Sequence, residues 1–208
     1  MIHVLAYILA QVLSMFFYPL FIPTYGIALF CFIAKAPMVW TLIAILGTLT
    51  FTCLIPLTAI WIMIRSGQVK DIQISNASER TMPYLYTAIG FGFWTFLMSY
   101  VLRAPLFLIL VCAGATFALG VITWVNRYWK ISAHLTGIGG LVGGIVSYHL
   151  AAGSAITWHM LLTLMLASLV MMFARLRLNA HTGAQVSAGW LLGLFSTCLP
   201  YSIITYVA

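Results

Sequence analysis

Apolar residues run along this chain in long blocks, broken only where a charged side chain falls. Cutting at the charges leaves Val4–Ala34, Ala36–Ile64, Thr81–Leu102, Ala104–Asn126, Ile131–Ala174 and Leu178–Ala208. A helix needs roughly 20 apolar residues to cross hydrocarbon about 30 Å thick, whereas a membrane β-barrel would show short alternating strands. The pattern therefore predicts helices. Five blocks are long enough for one span each. Ile131–Ala174 has room for two, with the small polar stretch Ala151-Ala152-Gly153-Ser154 as the turn between them. Trp40 and Trp61 bracket the second block and Trp158 follows the expected turn, positions where amphipathic indoles settle at a membrane interface. The expectation is an all-α integral membrane helical bundle of six or seven transmembrane helices. Pro19 and Pro23 leave the first block open between a kinked helix and a short re-entrant piece.

Composition then fixes the class. Of 208 residues, 64% are hydrophobic and 5% charged, against about a quarter charged in an ordinary soluble domain, so residues 1–208 read as a single membrane domain with no soluble module beside it. Cys31, Cys53, Cys112 and Cys198 all fall inside apolar blocks without metal-ligand spacing and read as filler. The first block lacks a basic leader and is too long for a cleavable signal, so it is expected to remain as a helix. The net charge of +7 fits anionic lipid head groups better than nucleic acid, for which no basic helix or soluble reading module exists.

Counting spans brings the charges together. Arg65 to Arg80, Arg127 to Lys130 and Arg175 to Arg177 follow the second, fourth and sixth spans, so all three segments are expected on one membrane face. That face holds seven of the nine cations and both acids, Asp71 and Glu79, leaving Lys35 and Arg103 opposite. Positive-inside anchoring gives such a bias by itself, but each basic segment here also adjoins a histidine or a polar, turn-forming stretch. Lys70 and Arg80 flank the loop that ends at Pro83. Ser132 and His134 stand at the mouth of the fifth span. Arg175 is followed by His181 and then Gln185 at the start of the last span. His149 and His159 fall near the other end and read as structural, Lys130 and Arg177 as interface or supporting charges, and Gly139, Gly140, Gly143 and Gly144 as a close-packing surface.

These spacings resemble the membrane-bound type 2 phosphatidic acid phosphatase superfamily, whose motifs are K-x6-R-P, P-S-G-H and S-R-x5-H-x3-D. Arg175, His181 and Gln185 reproduce the third spacing. Ser132 and His134 match the second, with Ile131 and Ala133 replacing proline and glycine. Lys70 and Arg80 match the first loosely, nine residues apart instead of six. The resemblance covers the chain from about Lys70 onward. It implies that His181 is a nucleophile forming a phosphohistidine and that His134 protonates the leaving oxygen. Lys70, Arg80, Ser132 and Arg175 would cradle the phosphate. No metal or other cofactor is implied. Gln185 stands where the family has an aspartate: its oxygen can orient the imidazole but, being neutral, cannot help hold an imidazolium.

The function so implied is metal-independent hydrolysis of a lipid phosphate monoester or pyrophosphate. The alternatives are a lipid phosphotransferase using the same site, or a catalytically weak lipid-binding or lipid-moving protein on that scaffold. The partners are the bilayer and a membrane lipid phosphate. A multi-pass place in a cell membrane follows, a bacterial inner membrane by resemblance, with the site on the periplasmic or other non-cytoplasmic side.

Overall fold

A computed structural model describes residues 2–72, 74, 76, 79–152 and 157–207, and among these the fold is entirely helical. The elements are α1 (Ile2–Phe16), α2 (Ile22–Ile33), α3 (Met38–Leu49), α4 (Ile55–Arg65), α5 (Thr81–Phe96), α6 (Leu106–Val125), α7 (Ala133–Ala152), α8 (Thr157–Arg177) and α9 (Gly183–Val207). Among the described residues three helices are long and apolar enough to cross a membrane: the continuous rod Met38–Arg65 formed by α3 and α4, Leu106–Val125, and Trp158–Arg177.

The first apolar block does not form one helix. Pro19 supplies no N–H at a point where a continuous helix would need one, and the chain breaks after Phe16. It restarts at Ile22, with Pro23 in the first turn of α2, where the missing donor costs nothing. At 1.5 Å per residue, α1 and α2 are each only about 20 Å long. The block Ile131–Ala174 does hold two helices, α7 ending at Ala152 and α8 starting at Thr157. Gly153 and Ser154 of the expected turn lie outside the described residues.

Between α3 and α4 the helix widens into a π-turn, Thr50–Leu54, in which the Ile55 N–H reaches back to the Thr50 carbonyl. Pro56, just beyond, cannot donate to the ladder, and a π-turn is one way a helix absorbs such a break. The widened turn brings the Phe51 carbonyl against Gly90 of α5, where a Cβ would sit 2.6 Å from that oxygen. A second π-turn, Leu97–Val101, ends the α5 rod.

Two reversals at the far end of the bundle are alike. Lys35-Ala36-Pro37 joins α2 to α3, and Arg103-Ala104-Pro105 follows the second π-turn and leads into α6. The cation in each adopts a left-handed conformation, φ +49° in both. The following alanine N–H returns to a helical carbonyl, that of Cys31 or of Met98, and the proline caps the next helix. A left-handed residue closing a helix satisfies its last carbonyls, usually through glycine; a cation in that place also complements the negative end of the helix dipole.

The closest helix pair is α7 with α9. A Cβ on Gly139 would collide with the Trp190 carbonyl, and one on Gly193 with the Thr136 carbonyl, so the two backbones touch where glycine removes the side chain. Hydrogen bonds lock the pair: the Ser147 hydroxyl donates to the Thr197 carbonyl at 2.9 Å, and the Thr197 hydroxyl to the Gly140 carbonyl at 2.9 Å. The small-residue surface read from the sequence on α7 is thus a packing surface: Gly139, Gly140 and Gly143 meet α9, and Gly144 meets Phe30 of α2. Apolar clusters finish the bundle, one around Phe30, Trp94, Met98 and Ile145 at the far end and another around Ile22, Leu135, Met171 and Val186 nearer the basic end.

Candidate active site

Helix mouths and loops from across the chain converge on one cavity of about 70 Å³, whose lining includes Tyr18, Arg80, Tyr84, His134, Arg175 and His181. Each residue arrives by a local device. Asn179, left-handed at φ +50°, ends α8, and the Ala180 N–H returns to the Arg175 carbonyl; this tight turn folds His181 back over the end of the helix that carries Arg175. Arg80 is drawn inward because its Nε–H donates to the Ile74 carbonyl at 2.7 Å. Ile74 is itself left-handed at φ +47°, a position β-branched residues avoid, and its buried side chain packs with Leu20 and Ile60. His134 occupies the first turn of α7. The Ser132 N–H donates to the Gln185 carbonyl, joining the segment before α7 to the start of α9.

The ring orientations follow from the partners. His181 Nδ1 lies 3.1 Å from the Lys130 carbonyl and 3.3 Å from Gln185 Oε1. The Thr182 N–H also donates to that glutamine oxygen, at 3.1 Å. Carbonyl oxygens only accept, so Nδ1 carries the proton and Nε2 keeps its lone pair. His134 is held the other way round. Its Nε2–H donates to the Ser14 carbonyl at 3.1 Å, leaving Nδ1 as the ring nitrogen with no hydrogen bond among the described residues. The Tyr18 ring stands edge-on to the His134 ring, centroids 6.2 Å apart.

The charged side chains on the cavity wall are the cations Arg80 and Arg175, while the Asp71 carboxylate acts on the wall from beside Tyr18. Burial first, then the guanidinium groups of Arg80 and Arg175, hold the Lys130 ammonium below its ordinary range, so the three cations are close enough to feel one another. His181 is pushed down to about 4, chiefly by burial and then by Arg175; it is neutral at physiological pH. Two buried polar atoms, Arg175 Nε and Ser132 Oγ, have no hydrogen-bond partner. Such orphans are rare in native interiors. Two guanidinium groups facing one small cavity favour an anion with several acceptor oxygens.

Of the residues picked out in the sequence, Arg80, His134, Arg175 and His181 meet in the cavity, and Gln185 contacts His181 as expected of an orienting group. Ser132 is fully buried next to the cavity residues Ala133 and His134, with its hydroxyl not on the wall. Lys70 is not brought to the site. Its side chain is exposed and its backbone N–H donates to Glu79 Oε2 at 2.9 Å; the half-buried Lys130, off the cavity wall, is a third cation that Arg80 and Arg175 act on. Sequence spacing also missed Ser14. Its carbonyl holds His134 and its hydroxyl accepts from Arg175 Nη1 at 3.2 Å. Tyr84, hydrogen-bonded to Arg80, completes the wall. His149 lies far from this cavity in chain position, its ring against Trp158. No cluster of three or more His, Cys, Asp or Glu side chains suited to a metal occurs among the described residues. No protein-family model matches the chain, and neither a curated protein nor a solved structure does.

Proposed function

We propose that the protein is a multi-pass membrane lipid phosphatase of the type 2 phosphatidic acid phosphatase kind, with seven crossings formed by α2 together with the turns at both its ends, the α3–α4 rod, α5, α6, α7, α8 and α9. The observation that carries this reading is the His181 tautomer. A neutral imidazole has its Nδ1 proton fixed by the Lys130 carbonyl and Gln185, so its Nε2 lone pair is available beside Arg80, Arg175 and a second histidine.

In the proposed reaction the lipid phosphate enters as its monoanion and passes its proton to His134 Nδ1; His181 Nε2 attacks phosphorus, the bond from phosphorus to the lipid oxygen breaks, and that oxygen takes the proton back from His134. Water then attacks the phosphohistidine, gives its proton to His134, and inorganic phosphate leaves with His181 restored. Because His134 Nε2 is committed to the Ser14 carbonyl, Nδ1 is the atom that gives and takes the proton. Arg80, Arg175 and Lys130 stabilise charge on the equatorial oxygens, the larger part of what phosphoryl transfer requires.

A labelled lipid phosphate, quenched without acid, is expected to leave an acid-labile, base-stable adduct on His181. Its persistence in His181→Ala would remove the assignment. His134→Ala should still accumulate adduct from nitrophenyl phosphate, whose leaving group needs no proton. The neutral Gln185 gives a specific reason to keep a second reading, in which the site binds a phospholipid head group without cleaving it; a phosphate-release screen over lipid phosphates separates the two. Adding lipid or sugar acceptors to the same screen tests phosphotransfer.

A further inference from the structure

Beneath the cationic cavity lies a second one of about 130 Å³, and the two share Pro19, Leu20, Tyr84, Thr87 and Ala133 in their walls. Resting on the phosphatase reading of the upper cavity, we propose that the lower one receives a single hydrocarbon chain of the substrate, so that the enzyme selects lipid phosphates by one chain of limited length.

The argument begins with what the walls lack. Small residues, among them Gly26, Ala115, Ala118 and Gly140, clear space between α2, α6 and α7 in the middle of the bundle. Where hydroxyls line this space, they are already engaged: Thr48 donates to the Ala44 carbonyl, Thr52 to Thr48, Thr87 to Pro83, Thr136 to Ser132 and Thr197 to Gly140. The Trp94 indole N–H donates to the Thr48 hydroxyl at 2.9 Å. Water needs two to four polar partners to occupy a cavity, and apolar cavities of this size take apolar guests instead.

Length follows from the helices. Along α7 the wall runs from Ala133 to Gly140, and along α5 from Tyr84 to Trp94. At 1.5 Å per residue this is a depth of about 10 to 15 Å. An extended chain of single carbon–carbon bonds covers it in about eight to twelve carbons. Phe30 and Trp94, both almost fully buried, belong to the cluster at the far end and form the floor. A second chain of the same lipid has no place in this cavity.

Trp94 at the floor supplies the test. With the protein in amphipol, 10-bromodecyl phosphate is expected to quench the part of the tryptophan emission that Trp94→Phe removes, and 4-bromobutyl phosphate, too short to reach, is not. Equal fractional quenching of wild type and Trp94→Phe by the decyl compound would overturn the proposal. Ala118→Phe, which fills the cavity partway down, should raise the concentration needed for Trp94 quenching at least tenfold. Unchanged quenching in a folded Ala118→Phe would also overturn it. Phosphate release is read in the same samples: release from decyl phosphate without Trp94 quenching sinks the chain site alone, while quenching without release keeps the chain site and sinks the phosphatase reading.

Discussion

His181 carries the sharpest consequences at the scale of single residues. Held at about 4 by burial and Arg175, against about 6.5 for an unperturbed histidine, its ring stays neutral well into acid, as the proposed nucleophile must. The limb of kcat/KM that reports this group should fall near pH 4, and a limb near 6.5 would contradict its buried, cation-flanked setting. Stability moves with the same titration. The folded-state pKa is depressed, so the unfolded chain binds more protons between pH 6.5 and 4; the His181 contribution is fully present above 6.5 and is lost as pH falls towards 4. Thermal melts across that window should show a shallower loss in His181→Gln than in wild type.

Gln185 decides whether orientation or charge matters more. Its oxygen holds the His181 proton at 3.3 Å, so Gln185→Leu removes one of the two groups fixing the tautomer, and Gln185→Asp adds a charge at the same point. Loss of the orienting carboxylate in a serine protease costs about 10⁴ in rate. Here the Lys130 carbonyl remains, so the leucine variant should lose less, about 10 to 10² in kcat, and the aspartate variant should equal or exceed wild type. Equal rates for glutamine and leucine would show that Lys130 alone orients the ring.

What the sequence made legible at this scale was set by local geometry. Arg175, His181 and Gln185 share one helix end and one helix start, so their spacing survives folding. Ser14 meets His134 across 120 positions and Arg175 across 161, and no local pattern encodes such contacts. Lys70 lies off the cavity for a related reason. The loop to Arg80 is shaped by the left-handed Ile74 and its bond to Arg80, features that residue spacing does not carry.

Among the elements, α7 and α9 are the most exposed to substitution. Gly193→Ala would drive a methyl into the Thr136 carbonyl, and overpacking of a tight contact costs about 1–3 kcal/mol. A Cβ on Gly120 would meet only open space, so Gly120→Ala should be neutral or stabilising, since alanine is the better helix former. The comparison is made by thermal unfolding of the two variants in detergent, and equal melting temperatures would deny the backbone contact. The block Val4–Ala34 shows where element reading runs out. Hydropathy reports the absence of charge, which is as true of two short helices joined at a proline as of one long one, and only packing decides between them. The π-turns are likewise invisible to periodicity, although Pro56 marks the place where one was needed.

For the whole molecule, the decisive arrangement is the gathering of charge at one end. Lys70, Arg127 and Arg177 stand at that end and Lys35 and Arg103 at the other. In a cysteine-free background, single cysteines at the first three positions should react with an impermeant maleimide from one side of the membrane, and at the last two from the opposite side. A split among the first three would break the seven-crossing arrangement. Which side is which depends on the cell and is read from the same experiment in sealed vesicles of known orientation.

The contact between α7 and α9 has a mechanical meaning beyond packing. His134 opens one of these helices and His181 stands just before the other, while the Ser132 N–H to Gln185 carbonyl bond ties their mouths together. Two rods in backbone contact form a truss: neither can slide or roll without forcing a carbonyl into its neighbour. Bilayers thin and thicken with lipid composition, and helices answer by tilting. On the seven-crossing reading the truss would bear that tilt as a unit, leaving the gap between the two imidazoles to peptide geometry and not to the lipid around it.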